Sequence, residues 1–267
     1  MVRTTRAEQL IDPTRAVLEQ IRQTIAVSPA FDPATSERTI RIMGSDFPIE
    51  VLIAPMLAAI ETNAPHMRFE IHNMSSSPVE SLERGYVDLL VTVDFATSPD
   101  HPSELLFEDD YVVVGDKKNP ALGMEMTSDL YLSLGHVTVR FNRSRVPAFE
   151  DWYMRRKKQQ RRIEVVAASF VTMPGLIVGT NRIGTLHRRL AEKMIAHYPL
   201  AIAELPFAIP PIRELAQWDN ANSNDAALQW VVGQLKKVAG QHKKPKFGKH
   251  PNTNNIAIEF QNERNRR

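Results

Sequence analysis

The sequence contains no cysteine, and this absence excludes several classes of protein. A chain without thiols has no disulfide framework, no thiolate nucleophile and no sulfur-ligated metal or cluster. Net charge is also small, because 33 Lys and Arg side chains nearly cancel 31 Asp and Glu side chains and leave +2. Such a balance gives no general attraction to nucleic acid or to acidic membranes, so any contact with DNA would be local.

Segments for export or membrane insertion are lacking as well. The first thirty residues are polar and charged, without an apolar core followed by a cleavage site. The most apolar stretch, residues 165–180, is too short and too polar to span a bilayer. We therefore expect a cytoplasmic protein without membrane contact. Its 267 residues, 43% apolar and 24% charged, suffice for one large globular domain or two small ones.

Groups that carry out catalysis or bind metals are scarce. The eight histidines do not show the paired spacing of a zinc-binding helix, and the chain lacks a Gly-x-Ser-x-Gly elbow and a phosphate-binding glycine loop. Glu108, Asp109 and Asp110 stand in consecutive positions at a strand start, where side chains alternate faces, so we expect them to end a sheet edge at the solvent. The sequence thus predicts no enzyme, no metal and no cofactor.

The spacing of apolar residues predicts two series of alternating strands and helices. The first has strands at 38–43, 68–74, 87–93 and 105–115 and helices at 45–61 and 77–85, the latter opened by a capping box at Ser77 and Glu80. The second has strands at 136–141, 163–170, 182–186 and 201–207 and helices at 128–134, 148–162, 172–178 and 187–197. The chain then turns through prolines, and a last helix runs from a cap at Asn224 or Asp225 to about Val238. Two such series predict two α/β lobes.

Three further segments are charged or lie at the ends. The basic run RRKKQQRR at 155–162 is interpreted as a solvated helix face. Residues 6–27 have helical spacing, and Ile11, Thr14, Leu18, Ile21 and Ile25 alternate steps of three and four, which indicates either the seam of a helix pair or a stripe packed on its own domain. The basic tail, residues 239–267, is rich in proline and asparagine and is expected to be disordered.

Small hydroxyl side chains recur where predicted strands end. Ser45 precedes the first helix, the Ser75–Ser77 turn the second, Ser169 and Thr172 the third, and Thr185 the fourth. Helix-start amides can hold a carboxylate or phenolic oxygen, and the carboxyl ends of strands in an open parallel sheet define a ligand crevice. Each hydroxyl could also be an ordinary N-cap. Taken together, they indicate a cleft that binds a small molecule.

The order and spacing of several runs resemble LysR-type transcriptional regulators, from the linker helix onward. The resemblance covers about residues 5–238 and is to nodulation regulators of the NodD kind and regulators of aromatic-compound degradation. The runs are TRAEQLIDPTRAVLEQIRQTI, FDPATSERTIRIMGSD, APHMRFEI, LERGYVDLL, LFEDDYVVVG, RIGTLHRRLA and LPFAIPP.

This resemblance implies an α/β fold of two Rossmann-like subdomains, as in type 2 periplasmic binding proteins, preceded by a linker helix. The linker helix would occupy residues 1–30, subdomain I residues 38–113 and 207–238, and subdomain II residues 114–206. A small aromatic or acidic effector would lie between the subdomains. The residues implied in effector binding are Ser45, Asp46, Ser75, Ser76, Ser169 and Phe170, to which the strand-end argument adds Thr185. The linker helix would pair subunits through Leu18, Ile21 and Ile25 into a homodimer or tetramer.

The family carries a winged helix-turn-helix at its N-terminus, and none precedes Met1. We therefore expect this chain not to recognise an operator by itself, since DNA would be bound only through that missing head. A solute-binding receptor of the periplasmic type would share the architecture, but the absent signal sequence and the N-terminal helix weaken that alternative. A small enzyme built on the α/β halves is a third possibility, for which the sequence offers no reactive set.

Overall fold

The computed structural model describes residues 31–141, 146–157 and 159–241, together with Leu10 and Thr14 as single helical positions. The predicted dimer contacts Leu18, Ile21 and Ile25 lie outside the described residues, as does the tail after residue 241. Within the described ranges the chain forms two sheets, each covered by helices. The predicted two-lobe α/β architecture is confirmed.

The first lobe is built on a five-stranded sheet with the order β2-β1-β3-β11-β4. Its strands are β1 (Thr39–Gly44), β2 (Arg68–Asn73), β3 (Leu89–Val93), β4 (Ser103–Asp109) and β11 (Ile212–Gln217). β1 pairs in parallel with β2 and β3, whereas β11 is antiparallel to β3 and β4. Its helices are α1 (Asp46–Pro48), a π-helical turn (Ile49–Ile53), α2 (Ala54–Ile60), α3 (Pro78–Glu83) and α8 (Ala226–Gln241).

The second lobe is built on a six-stranded sheet in which β6 pairs in parallel with β8 and β9. Its strands are β5 (Tyr111–Asp116), β6 (Gly135–Phe141), β7 (Val146–Pro147), β8 (Arg162–Ala167), β9 (Ile183–His187) and β10 (Leu200–Glu204). β5 is antiparallel to its neighbours β9 and β10. The helices are α4 (Ser128–Ser133), α5 (Phe149–Arg156), α6 (Met173–Ile177) and α7 (Arg188–Met194). None of the helices described in either lobe is long and apolar enough to cross a bilayer.

The predicted strand at 105–115 is in fact two strands, one in each sheet. The ladder of β4 with β11 ends at Asp109, and the ladder of β5 with β9 begins at Tyr111. Asp110 therefore marks the first crossing between the lobes. Residues 111–113 were predicted to belong to subdomain I, but they pair along β5 within the second sheet.

Strand β11 was not predicted, because the residues that it buries are not all apolar. Ile212, Glu214 and Ala216 are its buried alternate residues, so a carboxyl stands where the pattern needs a hydrophobic side chain. The preceding prolines, Pro210 and Pro211, also suggested a turn. The strand nevertheless completes the first sheet after the chain has returned from the second lobe.

Two interpretations of charged runs are wrong. The predicted helix at 148–162 ends at Arg156, and Arg161 then inserts its side chain into the second lobe with only 2% of it exposed. The acidic run does not end at the solvent either, because Asp109 is 1% exposed at the crossing.

The predicted capping box is also incorrect, since Ser77 is the N-cap of α3 but its side chain makes no capping hydrogen bond.

Candidate functional site

The two lobes meet where β1 ends and where the segment after β8 begins. Asp46, in α1, accepts a hydrogen bond of 2.8 Å at Oδ2 from the backbone N–H of Val171. Burial raises the pKa of Asp46, although the backbone donors around it oppose that rise. A hydrogen bond to an acidic side chain of the first lobe therefore joins the two lobes at the predicted cleft.

The predicted hydroxyl residues beside this contact are not ordinary caps. Ser45 is the N-cap of α1, and Thr172 that of α6, yet neither side chain makes a capping hydrogen bond. Ser169 instead donates from Oγ to Oγ1 of Thr172 at 3.1 Å. The structure thus brings Ser45, Asp46 and Ser169 to one junction, with hydroxyls that the helix starts do not use.

Aromatic rings fill the junction behind Asp46. His187, at the end of β9, stacks on Phe47 of the first lobe with ring centroids 4.0 Å apart, and Phe170 meets it edge-on at 4.6 Å. Tyr111 lies 4.9 Å from the same imidazole. Burial lowers the pKa of His187 to about 3, so the ring is neutral at physiological pH. Phe170 was expected in the cleft, whereas Phe47 and His187 were not singled out from the sequence.

A second ring contact joins the lobes at the start of α5. Phe95 lies in the turn after β3 in the first lobe, and its ring stacks on Phe149 of the second lobe at 5.2 Å. Phe149 in turn lies 5.9 Å from Trp152. The region between the lobes is therefore bounded by aromatic faces at α5 and by the Asp46–Val171 hydrogen bond near α6.

Thr185 lies deeper than the other predicted residues. It is buried in β9, and its Oγ1 is 2.7 Å from Oη of Tyr131. Oη of Tyr131 is also 3.4 Å from Nη1 of Arg161, whose Nη2 donates to Asp151 at 2.5 Å. Burial raises the pKa of Tyr131, so the phenol keeps its proton. Thr185 is therefore part of a buried chain of polar contacts that runs through Tyr131 and Arg161 to Asp151.

Glu150, in the first turn of α5, is the most unusual polar group near this chain. It is 1% exposed, and among the described residues neither of its carboxyl oxygens has a hydrogen-bond partner. Burial raises its pKa to about 7, against the opposing charge of Arg161. Because buried polar atoms are nearly always hydrogen-bonded, an unpartnered carboxyl suggests a missing partner. Nothing in the sequence singles out Glu150, because acidic residues are common in the first turn of a helix.

Two more buried carboxyls lie at the crossing between the lobes. Asp109 accepts a hydrogen bond of 3.1 Å from the backbone N–H of Arg189, and burial raises its pKa to about 7. Burial likewise raises the pKa of Glu214 to about 8, with a further contribution from Asp109. These groups surround the connection on which any movement between the lobes would depend.

The Ser75–Ser76 turn lies at the same end of the first sheet but one strand further out. Gly44 of β1 pairs with Asn73 of β2, so both strands end at this edge. Oγ of Ser75 lies 3.3 Å from Oγ of Ser81, and Ser76 is exposed. The turn thus shares an edge with Ser45, whereas Asp46 makes the direct contact to the second lobe.

Comparison with known proteins identifies the family. The LysR substrate binding domain family matches residues 33–240. The chain belongs to this family. Nodulation protein D from Bradyrhizobium sp. (strain ANU 289) is 36% identical over 249 residues, which cover 92% of this chain and 74% of that protein. The resemblance to LysR-type regulators is confirmed, and with it the class of the chain as an effector-binding domain of a transcriptional regulator.

Solved structures of a transcriptional regulator and of an effector binding domain have the same fold. The probable transcriptional regulator PA0477 from Pseudomonas aeruginosa matches with a TM-score of 0.72 at 26% identity, over 88% of this chain and 78% of that one. The effector binding domain of QuiR in complex with shikimate matches with a TM-score of 0.62 at 13% identity, over 78% and 99%. The predicted fold, with two subdomains as in type 2 periplasmic binding proteins, is confirmed.

Proposed function

We propose that this LysR-type domain senses a small aromatic or acidic molecule bound between its two lobes. The residues proposed to line the cleft are Ser45, Asp46, Ser75, Ser76, Ser169, Phe170 and Thr185, and we add Glu150 and Phe149. Binding would add contacts to both lobes at once and so favour one relative position of the lobes.

The observation that carries this proposal is the carboxyl of Glu150, which has no hydrogen-bond partner among the described residues and lies beside an aromatic contact between the lobes. Phe149, its neighbour in α5, stacks on Phe95 of the first lobe, so the start of α5 faces the other lobe. A phenolic hydroxyl could donate to the Glu150 carboxyl while the aromatic ring packs against the faces of Phe149 or Phe170. An apolar site with a few well-placed polar groups is typical of small-molecule binding.

The relatives support the same class of ligand without fixing its identity. QuiR was solved with shikimate, a small acid, on the same fold. The hydroxyl of Ser45, and that of Ser169 if it turned away from Thr172, would suit a carboxylate or phenolic oxygen of such a ligand. We further propose that subunits pair through Leu18, Ile21 and Ile25 into a homodimer or tetramer, and that a winged helix-turn-helix, not these lobes, contacts DNA.

The proposal can be tested with a thermal-shift screen of aromatic acids, phenolics and flavonoids. At a ligand concentration 100-fold above Kd, binding to the folded state alone contributes about 2.7 kcal/mol, which corresponds to a rise in Tm of about 5–10 °C. Ser45→Ala and Ser169→Ala should reduce the shift. Ser103→Ala is the control, since Ser103 is exposed at the opposite end of β4 from the crossing. If no compound raises Tm, or if all three variants respond alike, the proposed cleft is wrong.

A further inference from the structure

The second lobe contains a cavity that the proposed effector cleft does not use. It has a volume of about 530 Å³ and lies between α5 and strands β6 and β8. Its lining includes three arginines, two glutamines and one aspartate: Arg140, Arg155, Arg161, Gln159, Gln160 and Asp151. None of the residues proposed for the effector cleft is in this lining. The volume falls within the range of small-molecule sites, about 300–1,000 Å³.

Among the described residues that line this cavity, arginines outnumber carboxylates. Asp151 receives hydrogen bonds from both Arg155 and Arg161, so a single carboxylate serves two guanidinium groups. Arg140 remains as a third cation. Its Nε is buried and has no hydrogen-bond partner in the part of the chain that the structure describes. Leaving a buried donor without an acceptor costs about 1–3 kcal/mol, and more for a charged group.

The shape of the donors indicates the ligand. An arginine guanidinium presents N–H donors in a planar fork that fits two oxygens of a carboxylate or phosphate group. Gln159 and Gln160 add amide groups that can bond to other polar atoms of the same molecule. An oxyanion near Arg140 would supply the missing acceptor and offset the excess positive charge.

We propose that this cavity is a second ligand site, specific for a small molecule that bears a carboxylate or phosphate group. The site lies within one lobe and does not require the lobes to close. Arg161 is its connection to the rest of the domain, because Nη1 of Arg161 is 3.4 Å from Oη of Tyr131, the partner of Thr185.

The test is a titration of the purified chain with inorganic phosphate and, separately, with citrate. Sodium chloride at equal ionic strength serves as the reference, because nonspecific charge effects follow ionic strength. We expect saturable binding by calorimetry and a rise in Tm beyond that caused by chloride. Arg140→Gln removes the guanidinium whose Nε has no partner among the described residues and leaves the two bonds to Asp151 intact, so it should weaken binding of the responding anion at least tenfold.

Two further variants make the result decisive. Arg155→Gln removes an exposed cavity arginine and should also weaken binding, which keeps the test available if Arg140→Gln does not fold. Arg84→Gln is the matched control, because Arg84 is an exposed arginine of the first lobe paired with Glu80. The proposal is overturned if neither anion binds beyond the chloride reference. It is equally overturned if Arg84→Gln weakens binding as much as the cavity variants, since that would show only general attraction to positive charge.

Discussion

Asp46 of the first lobe accepts a 2.8 Å hydrogen bond from the backbone N–H of Val171 in the second lobe. The bond crosses the junction that contains Ser45 and Ser169. The hydroxyl of Ser45 does not cap α1, and the hydroxyl of Ser169 donates to Thr172. The bond between Asp46 and Val171 is formed by a side chain whose pKa burial raises, so it draws the lobes together at the expense of desolvating a carboxylate. The contact is thus a candidate for one that changes when a ligand enters the cleft.

Replacing Asp46 with alanine should therefore loosen the junction. A hydrogen bond to a charged group contributes about 1.5–3 kcal/mol, and relief of the buried charge offsets part of it, so we expect a loss of about 1–2 kcal/mol in the free energy of unfolding. Urea unfolding followed by circular dichroism would measure it. Asp46→Asn keeps an oxygen acceptor and should lose less; an equal loss in the two variants would show that the bond to Val171 contributes nothing.

The basic run at 155–162 offers a matched pair of neighbouring arginines. Arg161 has 2% of its side chain exposed and pairs with Asp151, whereas Arg162 has 64% exposed and pairs with Glu164. Removing one partner of a buried ion pair costs about 3–5 kcal/mol, but Arg155 also bonds to Asp151, so for Arg161→Gln we expect about 2–4 kcal/mol. Arg162→Gln should change stability by less than about 0.5 kcal/mol. Similar Tm values for the two variants would refute the buried role of Arg161.

The hydroxyl pair of Tyr131 and Thr185 should be energetically coupled. Either Tyr131→Phe or Thr185→Val leaves the other buried hydroxyl short of a partner 2.7 Å away, at a cost of about 1–3 kcal/mol. The double variant removes both groups, so its loss should be smaller than the sum of the single losses by at least about 0.5 kcal/mol. A double-mutant cycle by chemical unfolding measures this difference. Additive losses would mean that the two hydroxyls do not interact.

The buried carboxyls should make the free energy of unfolding fall as pH rises from about 4.3, the pKa of an unfolded carboxyl, to about 8, the folded pKa of Glu214. Burial raises the pKa of Glu214 to about 8, while a carboxyl in the unfolded chain titrates near 4.3, so between these values only the folded state keeps the proton. The contribution of this proton to the free energy of unfolding is complete below the pKa of the carboxyl in the unfolded chain. It is lost as pH rises through the pKa of Glu214 in the folded state. The effect of one such proton reaches about 1.4 kcal/mol per pH unit.

The buried histidines act in the opposite direction and below this range. Burial lowers the pKa of His187 to about 3 and that of His136 to about 4, so their contribution is lost as pH falls below about 6.5, where the unfolded chain gains protons. Between pH 6.5 and 8.5 the carboxyls therefore dominate. Glu214→Gln should flatten the decline of Tm over that interval, and an unchanged slope would show that Glu214 does not hold a proton in the folded state.

The alternation of elements could be predicted because most of their inward residues are apolar. The prediction of elements failed where a charged side chain faces inward. The inward Glu214 breaks the apolar alternation of β11, so this strand was not predicted. The prediction of a solvated helix face at Arg161 was also wrong. The prediction of elements also failed at Asp110, because the acidic run between the apolar residues of β4 and β5 does not by itself indicate a change of sheet. The spacing of apolar residues predicts which positions are buried. It cannot predict that a charged residue is buried when its partner lies far along the chain.

The candidate site was predictable in part. Ser45 and Ser169 follow from both the strand-end argument and the family resemblance, whereas Asp46 and Phe170 follow from the resemblance alone. All four lie at one junction. Thr185 was selected as a hydroxyl near a helix start, but its partner is Tyr131, 54 positions away. The shifted pKa values of Glu150 and His187 result from burial, which depends on the packing of both lobes. Nothing in the local sequence therefore distinguishes these two residues.

The most direct test of the sensor proposal measures the effect of Glu150 on binding and on stability together. Calorimetric titration would use whichever aromatic compound raises Tm most, with the wild-type chain, Glu150→Met and the control Ser103→Ala. We predict one molecule bound per chain, at least tenfold weaker binding by Glu150→Met, and unfolding of that variant at an equal or higher temperature without ligand, because an unsatisfied buried carboxyl has been removed. Equal affinity of Glu150→Met and wild type would contradict a ligand site at the start of α5.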